Sequence, residues 1–380
     1  MAQSRARVLH VDRETSTETD ITEALDLSTR EGIETTVDSF SLRIAERGLG
    51  SLVIDVDDTI KIYLGHGAAA PTSLVMDGII NAIKYDSTMK GRTYVVSGVN
   101  KLEYLMNNIF PMAHKSSDGW TASTIIGYIV DQVNDMNDDS KDYWTNIGKD
   151  ITATTLEVNY YEIDKPAYHH IETLSTNEYT GNGTYIYYLD SSNQLVWKPR
   201  PTDDAGSETG TVTEGNETFS IRIEKGVWGV INALMINCGV DYSGRKITTF
   251  KVNSPSVGKH GFKWKYVGKT GFASNYIDAN PSGDDNDVRA AARADAKAWA
   301  DEVLEKLGAA RYRATVEVRG NSSYVKGDIW KLQTNTFTFS TGNKYYNLRL
   351  TNIRHNYSGK EGWITTLEFE EDEDTALENL

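Results

Sequence analysis

Residues 39–98 contain, in order, SFSLRIAERG (39–48), LVIDVDDTIKIYLG (52–65), SLVMDGIINAIKY (73–85) and GRTYVVSG (91–98). A second stretch repeats that order as RYRATVEVRG (311–320), YVKGDIWKLQT (324–334), YYNLRLTNIRHNY (345–357) and GWITTLEF (362–369). In each copy a strand-forming run ends in Arg-Gly, and an Asp-containing turn opens a second strand. A long third segment follows, and Gly with a bulky residue starts a fourth. Asp57-Asp58 falls where Gly327-Asp328 falls, and Gly91-Arg92 where Gly362-Trp363 falls. Two copies are too few for a solenoid. The pattern predicts a mainly β, α+β chain with two related small β-barrels in tandem.

At 380 residues the chain exceeds one typical core, so several domains are expected. It is 39% hydrophobic and 24% charged, the balance of an ordinary globular protein rather than a disordered one. Tyr (21) and Trp (8) are plentiful and Pro (7) is scarce, which suits strands. Formal charge is −15, which argues against a broad phosphate-binding surface. A single cysteine, Cys238, sits in the apolar run VINALMINCGV and reads as a small buried hydrophobe. One cysteine cannot form an internal disulfide, so a reducing cytosol is the expected place of assembly. No apolar run approaches the ~18 residues of a membrane span, and MAQSRARVLHVDRE lacks the apolar core of a signal peptide.

Residues 1–100 are expected to form the first barrel, with Phe40, Leu42 and Ile44 alternating along one strand. Residues 101–218 read as a middle α/β domain. In it, KLEYLMNNI is helical in spacing, Ser117 or Asp118 caps a helix through Val133, and another helix follows Pro166. The hairpin TYIYYLD-SSN-QLVWKPR comes next, and Pro199–Thr218 reads as a linker or exposed loop. The second barrel is expected from 219–252 and 311–370, interrupted by an insertion at 253–310. That insertion carries a helix capped by Asp284-Asp285, striped by Val288, Ala292, Ala296, Trp299, Val303 and Leu307, and ended by Gly308. Residues 371–380 are an acidic tail.

Several stretches imitate catalytic or metal motifs. LVIDVDDTI matches the DxDxT nucleophile motif of haloacid-dehalogenase-type phosphatases, with Asp55 as nucleophile, Asp57 as acid/base and Ser97 in the second motif. That chemistry needs a parallel sheet, yet the motif runs straight into the strand IKIYLG; a capped tight turn is the competing reading. Asp135, Asn137 and Asp139 open like a calcium loop, but Ser140 replaces the turn glycine and Asn146 the closing Glu. In GFKWKYVGKT, six residues separate Gly261 from Gly268 where a phosphate loop has four. His169 and His170 diverge on a helix and cannot chelate together. The Lys/aromatic run from Lys259 to Lys269 suits either a solvated strand or an acidic or single-stranded partner. Carboxylates are numerous, and none is singled out as a glycosidase acid/base pair. No catalytic, cofactor or metal residue is assigned. The structural turn and motif positions are Asp57, Asp58, Gly78, Gly98, Gly327, Asp328, Trp330 and Gly362.

In this order the segments resemble the central tail hub, or baseplate hub, of tailed phages and related injection machines (the late-control D type). SFSLRIAERG, VDDTIKIYLG, LVMDGIINAIKY and GRTYVVSGVNKLEYL match its opening half, and the TYIYYLDSSNQLVWKPR hairpin its middle domain. VNSPSVGKHGFKWKYV, the Ala-rich helix, VEVRGNSSYVKGDIWKL and LRLTNIRHNY with GWITTLEF match its closing half. Asp57-Asp58 lacks the glycine usual in the first turn, and no lysozyme domain or spike-like repeat is attached. The resemblance implies a non-enzymatic homotrimer without cofactors, located in the virion tail or baseplate after assembly in the host cytoplasm. Three chains of two barrels each would adapt a sixfold tail tube to a threefold spike or fibre around a DNA channel for genome ejection. The implied partners are a tail-tube or distal tail protein on one face and a spike, fibre or tape-measure protein on the other. The alternatives are an enzyme, either the DxDxT phosphatase or a tail-associated cell-wall hydrolase, and a monomeric carbohydrate-binding tail protein, which the many strand Trp and Tyr suggest.

Overall fold

The structure, a computed structural model, describes residues 3–21, 24–34, 37–49, 52–88, 91–114, 118–138, 146–181, 183–201, 208–216, 218–269 and 271–371. The chain divides into two compact units, Met1–Arg222 with Ala314–Glu370, and Ile223–Arg313 with Glu371–Leu380. As the sequence predicts, it is mainly β with helices gathered into separate stretches.

The first repeat comprises β1 (Ser4–Val11), β2 (Glu18–Asp20), β3 (Ala24–Gly32), β4 (Ser39–Ala45), the short α1 (Glu46–Leu49), β5 (Thr59–His66), β6 (Ser73–Thr88) and β7 (Gly91–Val99). The middle stretch holds α2 (Leu102–Asn107), β8 (Ile109–His114), α3 (Ala122–Asp138), β9 (Gly148–Ile151), β10 (Tyr160–Pro166), α4 (Ala167–Leu174), α5 (Asn177–Thr180), β11 (Tyr185–Leu189) and β12 (Gln194–Pro199). β13 (Gly210–Thr213) and β14 (Thr218–Gly226) follow. The next stretch carries β15 (Ala233–Val240), β16 (Lys246–Val252), α6 (Ser254–His260), β17 (Trp264–Gly268), α7 (Gly271–Ala279) and α8 (Asp285–Leu307). The second repeat closes with β18 (Arg311–Arg319), β19 (Ile329–Gln333), β20 (Tyr345–Ser358) and β21 (Gly362–Glu370).

One large sheet takes in both repeats, in the order β14-β18-β21-β20-β3-β4-β7-β6-β5-β1-β2, with β19 beside β20 and β13 beside β19. The two repeats use the same strand order, first–fourth–third–second: β4-β7-β6-β5 and β18-β21-β20-β19. They also share an irregularity. The β6/β7 register slips between Ile80 and Ala82, and the β20/β21 register slips between Leu350 and Asn352, the equivalent place. A bulge is a positional feature of a ladder, so its recurrence marks the repeats as two versions of one unit. Alternating burial explains the strands: Phe40, Leu42 and Ile44 of β4 and Ile60, Ile62 and Leu64 of β5 all point into one core. Each such burial contributes about 1.5–3 kcal/mol.

In the middle stretch α2, α3 and α4 pack with the β11–β12 hairpin around Ile126, Ile129, Leu174, Tyr187 and Trp197. The hairpin is buried on both faces, because Ile186, Tyr188 and Val196 form a second cluster with Ile33. In the second unit β16, β15 and β17 make a separate sheet, whose Leu234, Ile236, Cys238 and Val267 face the Ala292, Ala296 and Ala300 stripe of α8.

Several expectations need correction. Residues 219–252 do not all join 311–370: β14 flanks β18, but β15 and β16 pair with each other and with β17. Their apolar face is matched to the small side chains of α8, which let the helix lie close to the sheet. The supposed linker contains β13, which runs parallel to β19 with Val212 buried. Thr121, not Asp118, caps α3, its hydroxyl accepting from Thr124 N at 3.3 Å; Ser117 lies outside the described residues. On α8, Ala300 takes the core position and Trp299 is only half-buried. Gly308 does end that helix, but with φ −78° rather than a left-handed turn. There the glycine is required by space, since a β-carbon would sit 2.6 Å from Leu304 O.

Candidate functional site

The turn before β5 is built by backbone and carboxylate together. Asp57 N donates to Ile80 O and Ile80 N donates to Asp58 O, both at 2.8 Å. The second repeat reproduces this pair: Gly327 N donates to Leu350 O at 2.7 Å and Leu350 N to Asp328 O at 3.0 Å. Both turns need a left-handed residue, Asp57 at φ 69° and Gly327 at φ 85°. Asp tolerates that region better than most residues, which accounts for the missing first-turn glycine. At Gly327 a β-carbon would be strained by the positive φ and would come within 2.4 Å of Ile186 Cδ1, which would have to move.

The carboxylates have diverged. Buried Asp58 accepts from His10 Nε2 (2.7 Å), Asp55 N (2.8 Å) and Arg13 N (3.0 Å), tying β5 to β1. Asp57 pairs with Arg13 at 2.6 Å. Asp328 instead accepts from Lys198 Nζ at 2.8 Å and Thr209 Oγ1 at 3.2 Å, tying β19 to β12. Gly78 and Gly98 share one role: the Phe40 ring lies across both, 2.7 and 2.6 Å from where their β-carbons would be. Trp330 covers Gly210 of β13 in the same way and packs at a tilt against Tyr324, ring centroids 5.0 Å apart. Gly362 opens β21 at φ 77°, with Ser4 against it.

Where the repeats meet, β3 pairs antiparallel with the second half of β20, from Asp26↔Ser358 to Gly32↔Asn352. Beneath this junction lies a buried polar cluster that the sequence does not single out. Asp38 accepts from Lys326 Nζ (2.6 Å), Asn100 Nδ2 (2.8 Å) and Gly32 N (2.9 Å). Burial pushes Asp38 upward, and the Lys326 ammonium pulls against it. Burial likewise pushes Glu31 up to about 8, against the pull of Lys326. His355, 3.7 Å from Glu31, is pushed down to about 3 by burial. Burial therefore favours the uncharged form of both Glu31 and His355. Trp363 Nε1 donates to His355 Nδ1 at 3.2 Å, and the Trp363 ring stacks on His66, whose Nε2 donates to Gly320 O at 2.7 Å. The outer side of the junction is an open groove of about 410 Å³ between β3, β4, β20 and β21, lined by Asp26, Arg43, Tyr357 and Glu361 among others.

The imitated motifs resolve into structure. β5, which follows the DxDxT stretch, has antiparallel neighbours on both sides, β1 and β6, so the parallel sheet of a phosphatase is missing there. Asp55 is exposed and its carboxylate accepts from Val56 N. Asp135 lies within α3 rather than opening a loop, and Asp139 and Ser140 lie outside the described residues. Among the described residues no cluster of His, Cys, Asp or Glu could hold a metal, and no helix is long and apolar enough to cross a membrane. His170 is buried against Tyr160 OH at 2.8 Å. Cys238 is buried, and burial raises its thiol. Lys269 lies over the Trp299 ring, while Trp264 and Tyr266 stand exposed on the free face of their sheet beside Met235 and Phe250.

Solved structures share this architecture end to end. The tail protein from Neisseria meningitidis MC58 superposes with a TM-score of 0.61 at 12% identity, covering 98% of each chain. The 43 kDa tail protein of prophage MuSo2 from Shewanella oneidensis gives 0.59 at 10% identity, over 96% of this chain and 97% of that one. The fold is that of phage tail proteins. Prophage tail protein gp18 from Listeria monocytogenes EGD-e gives 0.55 at 11% identity, over 98% and 97%. At such identities the likeness establishes the fold alone. No protein-family model matches this sequence, and neither does any curated protein.

Proposed function

We propose that the protein is a structural hub of a phage-like tail or baseplate, acting as a homotrimeric ring. The observation that carries this reading is the doubled unit, with the same strand order, the same bulge and the same reciprocal turn in both repeats. A duplicated unit in a threefold ring presents six near-equivalent positions, so one face fits a sixfold tail tube and the other a threefold spike or fibre. The shared fold with tail proteins supports this placement in a virion. The partners in this reading are a tail-tube or distal tail protein above and a spike, fibre or tape-measure protein below, with DNA only passing through. No side chain performs chemistry in this reading; the geometry the two turns share is scaffolding.

The reading is tested by native mass spectrometry and sedimentation of the purified protein, alone and released from particles. Three chains of 42.3 kDa, about 127 kDa, are expected. A monomer in both preparations contradicts it.

A further inference from the structure

The junction between repeats is made once inside the chain, and its equivalent is left open. In the second repeat, β20 uses its first half to pair with β19 and its second half, Asn352–Ser358, to pair with β3 of the first repeat. In the first repeat, β6 uses its first half to pair with β5, and its second half (82–88) pairs with β7 alone among the described residues. The bulges align Ala82 with Asn352. Residues 82–88 are therefore the counterpart of the segment that holds β3. At the other end of the large sheet, β14 flanks β18 as β3 flanks β4, and its outer side has no strand partner among the described residues.

The side chains around the two edges differ accordingly. Where the second repeat buries Lys326 and His355 at its filled junction, the first repeat has Val56 and Tyr85, which are 43% and 47% exposed. Phe219 on β14 is 64% exposed. An open strand edge flanked by exposed apolar groups is a template for another chain; both edges also carry charges of either sign, Lys84 and Asp86 on β6 and Arg222, Glu224 and Lys225 on β14.

We propose that the second half of β6 pairs with β14 of a second copy of this chain, continuing the large sheet from one molecule to the next as β20 and β3 continue it within a molecule. Val56 and Tyr85 of one copy are covered by the other, with Phe219 on the covering strand. The contact is heterologous, head to tail, and closes into a ring when six repeats complete a turn. It rests on the trimeric reading above and names the surfaces that build it.

The test places a photoreactive phenylalanine analogue at position 85 in a mixture of isotopically light and heavy full-length protein, with electron microscopy of the same sample. Mixed-isotope cross-links from position 85 into residues 218–226 are expected. The Tyr85→Asp variant should keep the melting temperature of the parent monomer while its trimer fraction falls at least tenfold. Rings whose cross-links land elsewhere, or only within one chain, overturn the pairing and leave the ring reading standing. Monomers in every preparation overturn both. A Tyr85→Asp protein that still forms trimers as the parent does overturns the pairing.

Discussion

At the scale of single residues, the junction between repeats depends on charges placed where water cannot reach them. Asp38 and Lys326 are 3% exposed and 288 positions apart, yet they meet at 2.6 Å. Removing one member leaves the other uncompensated. Lys326→Met should therefore cost about 3–5 kcal/mol, and adding Asp38→Asn should recover most of it, as read by a denaturation double-mutant cycle. Glu31, which feels the same Lys326 and Asp38, makes a pH-dependent contribution. Its carboxyl rises from an ordinary 4.5 to about 8, so the folded state holds the proton more tightly. That stability is fully present below the ordinary value and is lost as the pH climbs through the raised one. The melting temperature of Glu31→Gln relative to the parent should accordingly increase from mildly acidic to mildly alkaline pH; an unchanged difference would contradict the burial of Glu31. His355 works in the opposite direction, losing stability as the pH falls below its ordinary range.

At the scale of elements, the glycines of the first repeat separate space from flexibility. A β-carbon on Gly98 would meet Ile79 O at 2.0 Å and the Phe40 ring at 2.6 Å, whereas one on Gly268 meets nothing. Gly98→Ala should cost about 2 kcal/mol or more, and Gly268→Ala should be nearly neutral, by thermal melts of the two variants. The repeat was legible in the sequence because its strands alternate and its turns carry Gly327, Gly362 and the Asp pair. β13 was not: GTVT has only one apolar side chain to bury, and it becomes a strand only because β19 lies alongside. The β20–β3 pairing was hidden for a related reason. Its partners lie some 300 positions apart in the chain, and the LSTREG run of β3 is polar. Glu31, Asp38 and Lys326 read as surface residues until the fold brings them together. Burial of both hairpin faces likewise depends on Gly327 approaching Ile186 from the second repeat.

At the scale of the whole molecule, charge is unevenly divided. Residues 223–313 carry 14 Lys and Arg against 10 Asp and Glu, a net of +4, so the remaining 289 residues carry −19 of the total −15. Most of that excess lies in residues 101–218, with 7 Lys and Arg against 19 Asp and Glu, and in residues 371–380, with 5 Asp and Glu and no Lys or Arg, so the acidity belongs to the middle stretch and the tail rather than to the repeats. In the proposed ring, three copies supply the partner for the junction that one chain leaves open. The most direct test of that claim is a cryo-electron microscopy reconstruction of the isolated assembly, computed without imposed symmetry. The account predicts a ring of three chains around a central hole, with six superimposable repeats and β14 of each chain joined to β6 of the next. Repeats that face unrelated directions, or a ring with any other number of chains, would contradict it.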